Sequence, residues 1–160
     1  FGMTPGEYIE ELGWVGNDVW HAHCVKLNKE EIDLFSRTGT GIAHCPCSNR
    51  RLASGIAPLR NWIDEGVKVG LGVDGSSSND SGNLLSEARQ AMLLQRVTLG
   101  ANKFSPREAL FTATRGGAEV LNRDDIGQIS IGKAADFAIY DLNKTAMSGA
   151  WSDPLAALVL

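Results

Sequence analysis

The sequence has no apolar run near the length of about 18 residues that a membrane-spanning helix needs. It also lacks a basic segment followed by an apolar core, the pattern of a secretory signal peptide. We therefore expect a cytoplasmic protein with no membrane partner. Because 43% of the 160 residues are hydrophobic, the chain can bury a sizeable core, and we predict a globular fold rather than disorder.

Basic residues are too few and too scattered to mark a nucleic-acid surface. Lys and Arg number 15 against 19 Asp and Glu, which gives a formal net charge of -4. Since phosphate backbones favour basic patches, we expect no nucleic-acid partner and a small-molecule ligand instead. Cysteine is also scarce, and Cys24, Cys45 and Cys47 cannot all pair with one another. We interpret them as reduced thiols.

The two ends of the sequence suggest a segment of a longer protein. Residue 1 is Phe rather than Met, and the last six residues, Leu155 to Leu160, form an apolar run that would need a surface to pack against. We therefore expect further chain outside this sequence.

Short apolar runs alternate with helix-capping signals, which predicts an α/β fold with parallel strands and crossover helices. Three runs predict strands, at 18–24, 40–44 and 67–74. Three strands cannot close a barrel, so either the sheet is small and open or other strands lie elsewhere. Capping residues, prolines and glycines predict helices at 4–12, 28–39, 58–64, 84–97 and from 105 onward, the last interrupted at Gly116 and Gly117.

The chain changes character after about residue 126. Residues 127–141 contain β-favouring residues separated by glycines, which predicts short strands with tight turns. We interpret this tail as part of a second, β-rich domain.

His23, His44 and Asp74 each fall at the C-terminal end of a predicted strand. Because the carboxyl ends of parallel strands meet at one edge of a sheet, these side chains are candidates for a single site. Imidazole and carboxylate groups bind zinc or iron and move protons near neutral pH. Alternatively, each histidine has a structural role and forms only a local hydrogen bond.

Asp74 is the strongest single candidate. Burying an acid after an apolar strand is costly unless it meets a cation or hydrogen-bond donors, although a loop-capping aspartate remains the alternative. The loop from Gly75 to Asp80 follows directly, and its small polar residues, Asn79 among them, could wrap a substrate. A solvated turn is the simpler interpretation of that loop.

Other catalytic patterns are missing. There is no paired C-x-x-C zinc knuckle, the H-x-E of zinc cytidine deaminases is replaced by His21-Ala22-His23, and no G-x-S-x-G elbow is present. Glycines such as Gly70 and Gly72 do not complete a phosphate-binding loop. These absences exclude the corresponding site types.

Four motifs follow one another along the chain: Ala22-His23-Cys24-Val25-Lys26-Leu27, Ala43-His44-Cys45-Pro46-Cys47-Ser48-Asn49, Ser54-Gly55-Ile56-Ala57-Pro58 and Gly70-Leu71-Gly72-Val73-Asp74-Gly75. They resemble the amidohydrolase superfamily, in its branch of triazine hydrolases, guanine deaminases and adenosine-type deaminases. Within that branch they look most like 8-oxoguanine deaminases, a group often labelled as hydroxyatrazine-type hydrolases. The tail Gly132-Lys133-Ala134-Ala135-Asp136-Phe137 is similar to the family's return into its small β-sandwich.

The resemblance implies a fold and a cofactor. The family fold is a distorted (β/α)8 TIM barrel with a flanking β-sandwich, so residues 1–125 would supply barrel strands 6 to 8, and residues 126–160 part of the sandwich. The family binds a single divalent metal, for which we expect zinc, with iron as the alternative. Relatives commonly form dimers or larger assemblies, so a homo-oligomer is an open expectation.

The resemblance also assigns roles. Asp74 matches the metal-ligating aspartate that shuttles a proton from the attacking water to the leaving amine, and His23 matches a histidine that contacts that water or ligates the metal. We assign His44 and Asn79 to substrate binding, His44 in a supporting or orienting role. The His-x-His pair of the family's first strand and the His-x-x-Glu of its fifth strand, which supply the other ligands and an acid, have no counterpart in this sequence, because His21-Ala22-His23 matches the sixth strand instead.

The implied activity is hydrolytic deamination of a nitrogen heterocycle such as 8-oxoguanine, with release of ammonia. Two alternatives stay open: an amino- or chlorohydrolase of triazines or pterins, and a binding protein of this fold that has lost its metal.

Overall fold

The computed structural model describes residues 2–148 and 151–160. The helices alternate with strands as the capping signals predict. Complete capping boxes begin three of them, with Thr4 and Glu7, Asn28 and Glu31, and Ser105 and Glu108 exchanging hydrogen bonds. The helices are α1 (Pro5–Glu11), α2 (Lys29–Thr38), α3 (Pro46–Arg51), α4 (Leu59–Asp64), α5 (Leu84–Leu99), α6 (Pro106–Phe111), α7 (Gly117–Val120) and α8 (Pro154–Val159), with a 3-10 turn at Thr145–Met147.

The three strands form one parallel sheet in the order β1-β2-β3, which confirms the predicted parallel α/β arrangement. They are β1 (Trp20–Ala22), β2 (Gly41–His44) and β3 (Val69–Leu71). All three are shorter than predicted. The first stops at residue 22 because the next two residues adopt left-handed backbone angles, which end the extended conformation.

Helix α3 was not predicted from the sequence. It begins directly after the end of β2, with Pro46 in its first turn, and its buried residues include Ser48 and Asn49. A six-residue helix with polar residues facing inward has no apolar periodicity, so hydrophobic patterning could not reveal it.

Gly116 and Gly117 do not end the helix that Ser105 begins. A π-helical turn over Thr112–Gly116 instead joins α6 to α7 and packs against β3. A Cβ on Gly116 would lie 2.1 Å from the carbonyl oxygen of Val69, and one on Gly70 would lie 2.8 Å from the Cα of Gly117. The glycines therefore allow helix and strand backbones to touch.

The core lies between the sheet and the helices. Its largest fully buried apolar side chains come from α2, β2, α4, α5 and the segment before α6, and they are Phe35, Ile42, Leu59, Trp62, Met92 and Phe104. Among the described residues, none of the helices is long and apolar enough to cross a bilayer.

The tail after residue 126 differs from the β-rich expectation. Residues 149 and 150 lie outside the described part of the chain, and the described residues of the tail form no paired strand. A β-strand is held by hydrogen bonds to a neighbouring strand, and the tail has no such neighbour among the described residues. Ile129, Ile131 and Ile139 are more than four-fifths exposed. The final apolar run forms α8, which packs on α5 and α6 and buries Ala157 and Val159. The division at residue 126 stays a prediction.

Candidate active site

His23 and Asp74 meet at the carboxyl edge of the sheet, as their positions in the sequence predict. His23 follows β1, Asp74 lies three residues beyond β3, and 3.8 Å separates His23 Nε2 from Asp74 Oδ2. Both residues have left-handed backbone angles, with φ of 67° and 63°. Such conformations cost on the order of 1–3 kcal/mol and are concentrated at functional sites. The sheet holds one of them in place, since the backbone N–H of His23 donates to the carbonyl of Ala43 at 3.0 Å.

Three donors surround the Asp74 carboxylate. Oδ2 accepts hydrogen bonds from the hydroxyl groups of Ser48 at 2.5 Å and Ser78 at 2.6 Å, and Oδ1 accepts one from the backbone N–H of Gly75 at 2.8 Å. These bonds, with that of Ser48 contributing most, lower the pKa of Asp74 to about 2. The carboxylate is therefore ionised throughout the neutral range.

Asn49 fixes the His23 ring. Its Oδ1 lies 2.8 Å from Nδ1 of His23, and in this orientation of the amide the ring proton belongs on Nδ1. With the proton on Nδ1 alone, Nε2 is an acceptor that faces Asp74 Oδ2. Two acceptors at this separation repel each other unless a proton or a metal cation lies near both, so the pair is arranged to bind a positive charge.

The pair fits part of a zinc site. Zinc ligands lie about 2.0–2.2 Å from the ion, so two of them on one ion are at most about 4 Å apart, which accommodates the observed separation. A carboxylate oxygen and an imidazole nitrogen are suitable donors for zinc. Within the described residues, however, no group of three or more His, Cys, Asp or Glu side chains could hold an ion. The described residues therefore supply two candidate ligands and not a complete set.

His44 lies at the end of β2, as expected, but its ring is closed off. The residue is 1% exposed, and its ring meets Trp62 edge-on with 5.7 Å between ring centroids. Burial, with a smaller contribution from His23, lowers the pKa of His44 to about 3. Neither ring nitrogen has a hydrogen-bond partner among the described residues. A direct contact with substrate needs an accessible nitrogen, so of the two roles predicted for His44 the geometry favours support; the prediction itself remains untested.

Asn79 lies in the loop after β3, also as expected, but its amide points inward. Nδ2 donates to the carbonyl of Val73 at 2.8 Å and to Oε1 of Glu87 at 2.7 Å. Both hydrogens of the amide are therefore used within the chain. The role of Asn79 in substrate binding stays a prediction, and any contact would have to use its oxygen, which also accepts a bond from the backbone N–H of Ser81 at 3.3 Å.

Several residues that hold the site were not recognised as such from the sequence. Ser48 and Asn49 lie inside the second of the four motifs, Ser78 lies in the predicted loop, and Glu87 lies within a predicted helix, but none of these patterns assigns them a role. A signal existed for Glu87: it lies four residues before Ala91 on the buried face of α5, where an acid is out of place without partners.

Curated relatives match the chain closely in sequence. An 8-oxoguanine deaminase from Pseudomonas aeruginosa is 49% identical over 160 residues, which cover 100% of this chain and 35% of that protein. An isoxanthopterin deaminase from an unknown prokaryotic organism is 42% identical, over 89% of this chain and 33% of that protein. The chain thus spans about a third of the length of these relatives.

Solved structures also match the chain closely. The zinc complex of atrazine chlorohydrolase from Arthrobacter aurescens TC1 superposes with a TM-score of 0.93 and is 42% identical, covering 100% of this chain and 36% of that one. The model of the "Amidohydrolase family" matches residues 1–159. On the fold, the arrangement of the strand ends and these matches, the chain belongs to the amidohydrolase family.

Proposed function

We propose that this chain is the later part of a metal-dependent hydrolase that deaminates a nitrogen heterocycle, a purine such as 8-oxoguanine, and releases ammonia. In this proposal residues 1–125 contribute strands 6 to 8 of a (β/α)8 barrel, and residues 126–160 contribute to a flanking β-sandwich. The apolar side chains exposed along residues 127–141 support the second part, because they need a surface to cover them.

The observation that carries the proposal is the pairing of His23 with Asp74. An ionised carboxylate and an imidazole nitrogen face each other at 3.8 Å, each held by further side chains, at the sheet edge where catalytic groups of this fold class gather. The names of the relatives supply the substrate class, since they act on fused or substituted nitrogen heterocycles.

A divalent ion, for which we propose zinc, would be held in part by Asp74 and His23 and would supply a nucleophile at neutral pH by lowering the pKa of water from about 15.7 towards about 7. Asp74 Oδ2 is positioned to accept a proton from the attacking water and to return it to the departing amine. Because its pKa is lowered to about 2, the carboxylate is ionised at neutral pH and has the lone pairs that accept this proton.

His23 acts beside that relay. With its proton on Nδ1, bonded to Asn49, its Nε2 lone pair is available at the site to ligate the ion or to accept a hydrogen bond from the attacking water. Water adds to the ring carbon that bears the exocyclic amine, the carbon–nitrogen bond breaks, and ammonia leaves with the proton carried by Asp74.

Ammonia release by the intact protein tests the proposal. The zinc-loaded protein is assayed with 8-oxoguanine, guanine, isoxanthopterin, cytosine and an aminotriazine, and we expect the highest kcat/KM with a purine. Ammonia from none of them would overturn the deaminase proposal.

Two further measurements, chloride release from a chlorotriazine and equilibrium binding of the same heterocycles, distinguish the alternatives. Preference for the pterin or the triazine, with loss of amine or chloride, would indicate the substrate choice suggested by the isoxanthopterin and atrazine relatives. Binding of the heterocycles without turnover or metal would indicate a binding protein of this fold. Retention of both His23 and Asp74 argues against that last outcome.

A further inference from the structure

We propose that Glu87 is a positioning residue that sets the separation of His23 and Asp74, by tying the segment that carries Ser48 and Asn49 to the loop that carries Asp74. This inference rests on the proposed function, because it assigns Glu87 to the same site.

Glu87 is a fully buried carboxylate whose two oxygens reach different parts of the chain. It lies on α5 with 0% exposure. Oε2 accepts a hydrogen bond from the backbone N–H of Cys47 at 3.0 Å, and Oε1 accepts one from Nδ2 of Asn79 at 2.7 Å. Burying an ionisable carboxyl group is costly, and these bonds offset part of that cost.

One arm of this link leads to Asp74. Asn79, held by Glu87, donates its other amide hydrogen to the carbonyl of Val73, the residue directly before Asp74. The backbone N–H of Asn79 also donates to the carbonyl of Gly75 at 3.0 Å, directly after Asp74. The backbone on both sides of Asp74 is thereby fixed relative to Glu87.

The other arm leads to His23. Cys47 directly precedes Ser48 and Asn49, and these two side chains bond Oδ2 of Asp74 and Nδ1 of His23. A shift of α3 would therefore move both contacts at once. Because Glu87 holds Cys47 and Asn79 together, one side chain outside the reacting atoms controls how the acid and the imidazole approach each other.

The chemistry at Glu87 requires two acceptors. Both of its partners are donors, so a carboxylate satisfies both with no donor of its own. Glutamine at this position would turn one acceptor into an NH2 group facing another N–H, although the side chain keeps nearly the same size. Glu87→Gln therefore breaks one arm without opening a cavity.

The test compares Glu87→Gln with Glu31→Gln in the intact, zinc-loaded protein. Glu31 is a matched control, since it is also buried and accepts bonds from two backbone N–H groups, those of Gly6 and Asn28, which lie outside the site network. We expect Glu87→Gln to lower kcat about 10–100-fold with KM little changed, the range typical of residues that orient metal ligands, and Glu31→Gln to leave kcat near wild type. Equal loss of kcat in both would overturn the proposal.

Asn79→Ala provides a second variant should Glu87→Gln fold poorly. If Glu87 acts through Asn79, each single change lowers kcat, and the double variant is no worse than the poorer single. Additive losses, or a rise in KM alone with Asn79→Ala, would contradict the link and would indicate that Asn79 contacts the substrate directly.

Visible absorption of the Co²⁺-loaded protein separates this inference from the deaminase proposal, since it needs no substrate. We expect the cobalt bands to shift in Glu87→Gln and to match wild type in Glu31→Gln. If the cobalt bands shift in Glu87→Gln and not in Glu31→Gln, but wild type releases ammonia from no heterocycle, the deaminase proposal fails and the positioning role stands. Unchanged bands in Glu87→Gln, or no cobalt binding by wild type, would overturn the positioning role.

Discussion

His23 Nε2 lies 3.8 Å from Asp74 Oδ2, although 50 residues separate the two along the chain. Parallel strands bring them to one edge, and left-handed backbone angles at both residues direct their side chains towards each other. Each side chain also forms a hydrogen bond with α3: His23 with Asn49, and Asp74 with Ser48. The pair is thus a prearranged unit.

The Ser48 hydroxyl is the largest cause of the low pKa of Asp74, so removing it should raise that pKa. In the metal-free protein, Ser48→Ala should move the Asp74 pKa from about 2 upward, towards the ordinary value for Asp of about 3.9. Carbon-13 NMR of the Asp74 carboxyl group during an acid titration measures the shift. Ser77→Ala, in the same loop but exposed, is the control and should not change it. A Ser48→Ala titration identical to wild type would show that the hydroxyl does not stabilise the carboxylate.

The buried His44 makes stability depend on pH. Its pKa of about 3 in the folded chain lies below its value of about 6.5 in an unfolded chain, so the unfolded state binds the proton first as pH falls. The contribution to stability is fully present above about pH 6.5 and is lost progressively down to about pH 3, reaching roughly 2 kcal/mol by pH 5.

His44→Phe removes this titration and keeps a ring beside Trp62. We expect the fall in Tm between pH 7.5 and pH 5 to be several degrees smaller than in wild type, each variant being compared with its own value at pH 7.5 so that any general destabilisation cancels. An equal fall in both proteins would mean that His44 can take up a proton in the folded state.

The contact between the π-helical turn and β3 predicts opposite effects at two adjacent glycines. Gly116→Ala would place a methyl group against the carbonyl of Val69 and should destabilise the protein by about 1–3 kcal/mol. Gly117→Ala is the control, because a Cβ there meets nothing within 4 Å and alanine favours helix. Thermal unfolding measures both. Similar Tm values for the two variants would show that the backbones do not approach this closely.

With only two candidate ligands among the described residues, residues 1–160 alone should bind zinc weakly. We expect zinc to be removed readily by a chelator from this segment and to remain in the intact protein, because multidentate sites need three or four protein ligands. Metal analysis after dialysis against chelator measures this. Stoichiometric, chelator-resistant zinc in the segment would mean that its own residues complete a site.

The sequence predicts the ends of the capped helices and the meeting of His23 and Asp74 at one edge of the sheet. A capping residue such as Asn28 and a glycine such as Gly39 act within one turn of the helix that they bound. The strand ends that carry His23 and Asp74 follow from apolar runs and from the general geometry of parallel sheets.

What could not be predicted depends on contacts between distant segments. The roles of Ser48 and Asn49 arise only once α3 lies beside the ends of β1 and β3, and Glu87 gains its role from partners 40 and 8 residues away. The strands expected in 127–141 need neighbours that the described residues do not provide, so β propensity alone could not form them.

The most direct test of the account is the rate of ammonia release from 8-oxoguanine by the intact, zinc-loaded protein and by its Asp74→Asn variant. Asp80→Asn, which removes an exposed carboxylate from the same loop, serves as the control. The account predicts turnover by wild type and by Asp80→Asn, and a loss of at least about 10³-fold with Asp74→Asn, since a proton relay and a metal ligand are lost together. Turnover by Asp74→Asn within a few-fold of wild type would contradict it.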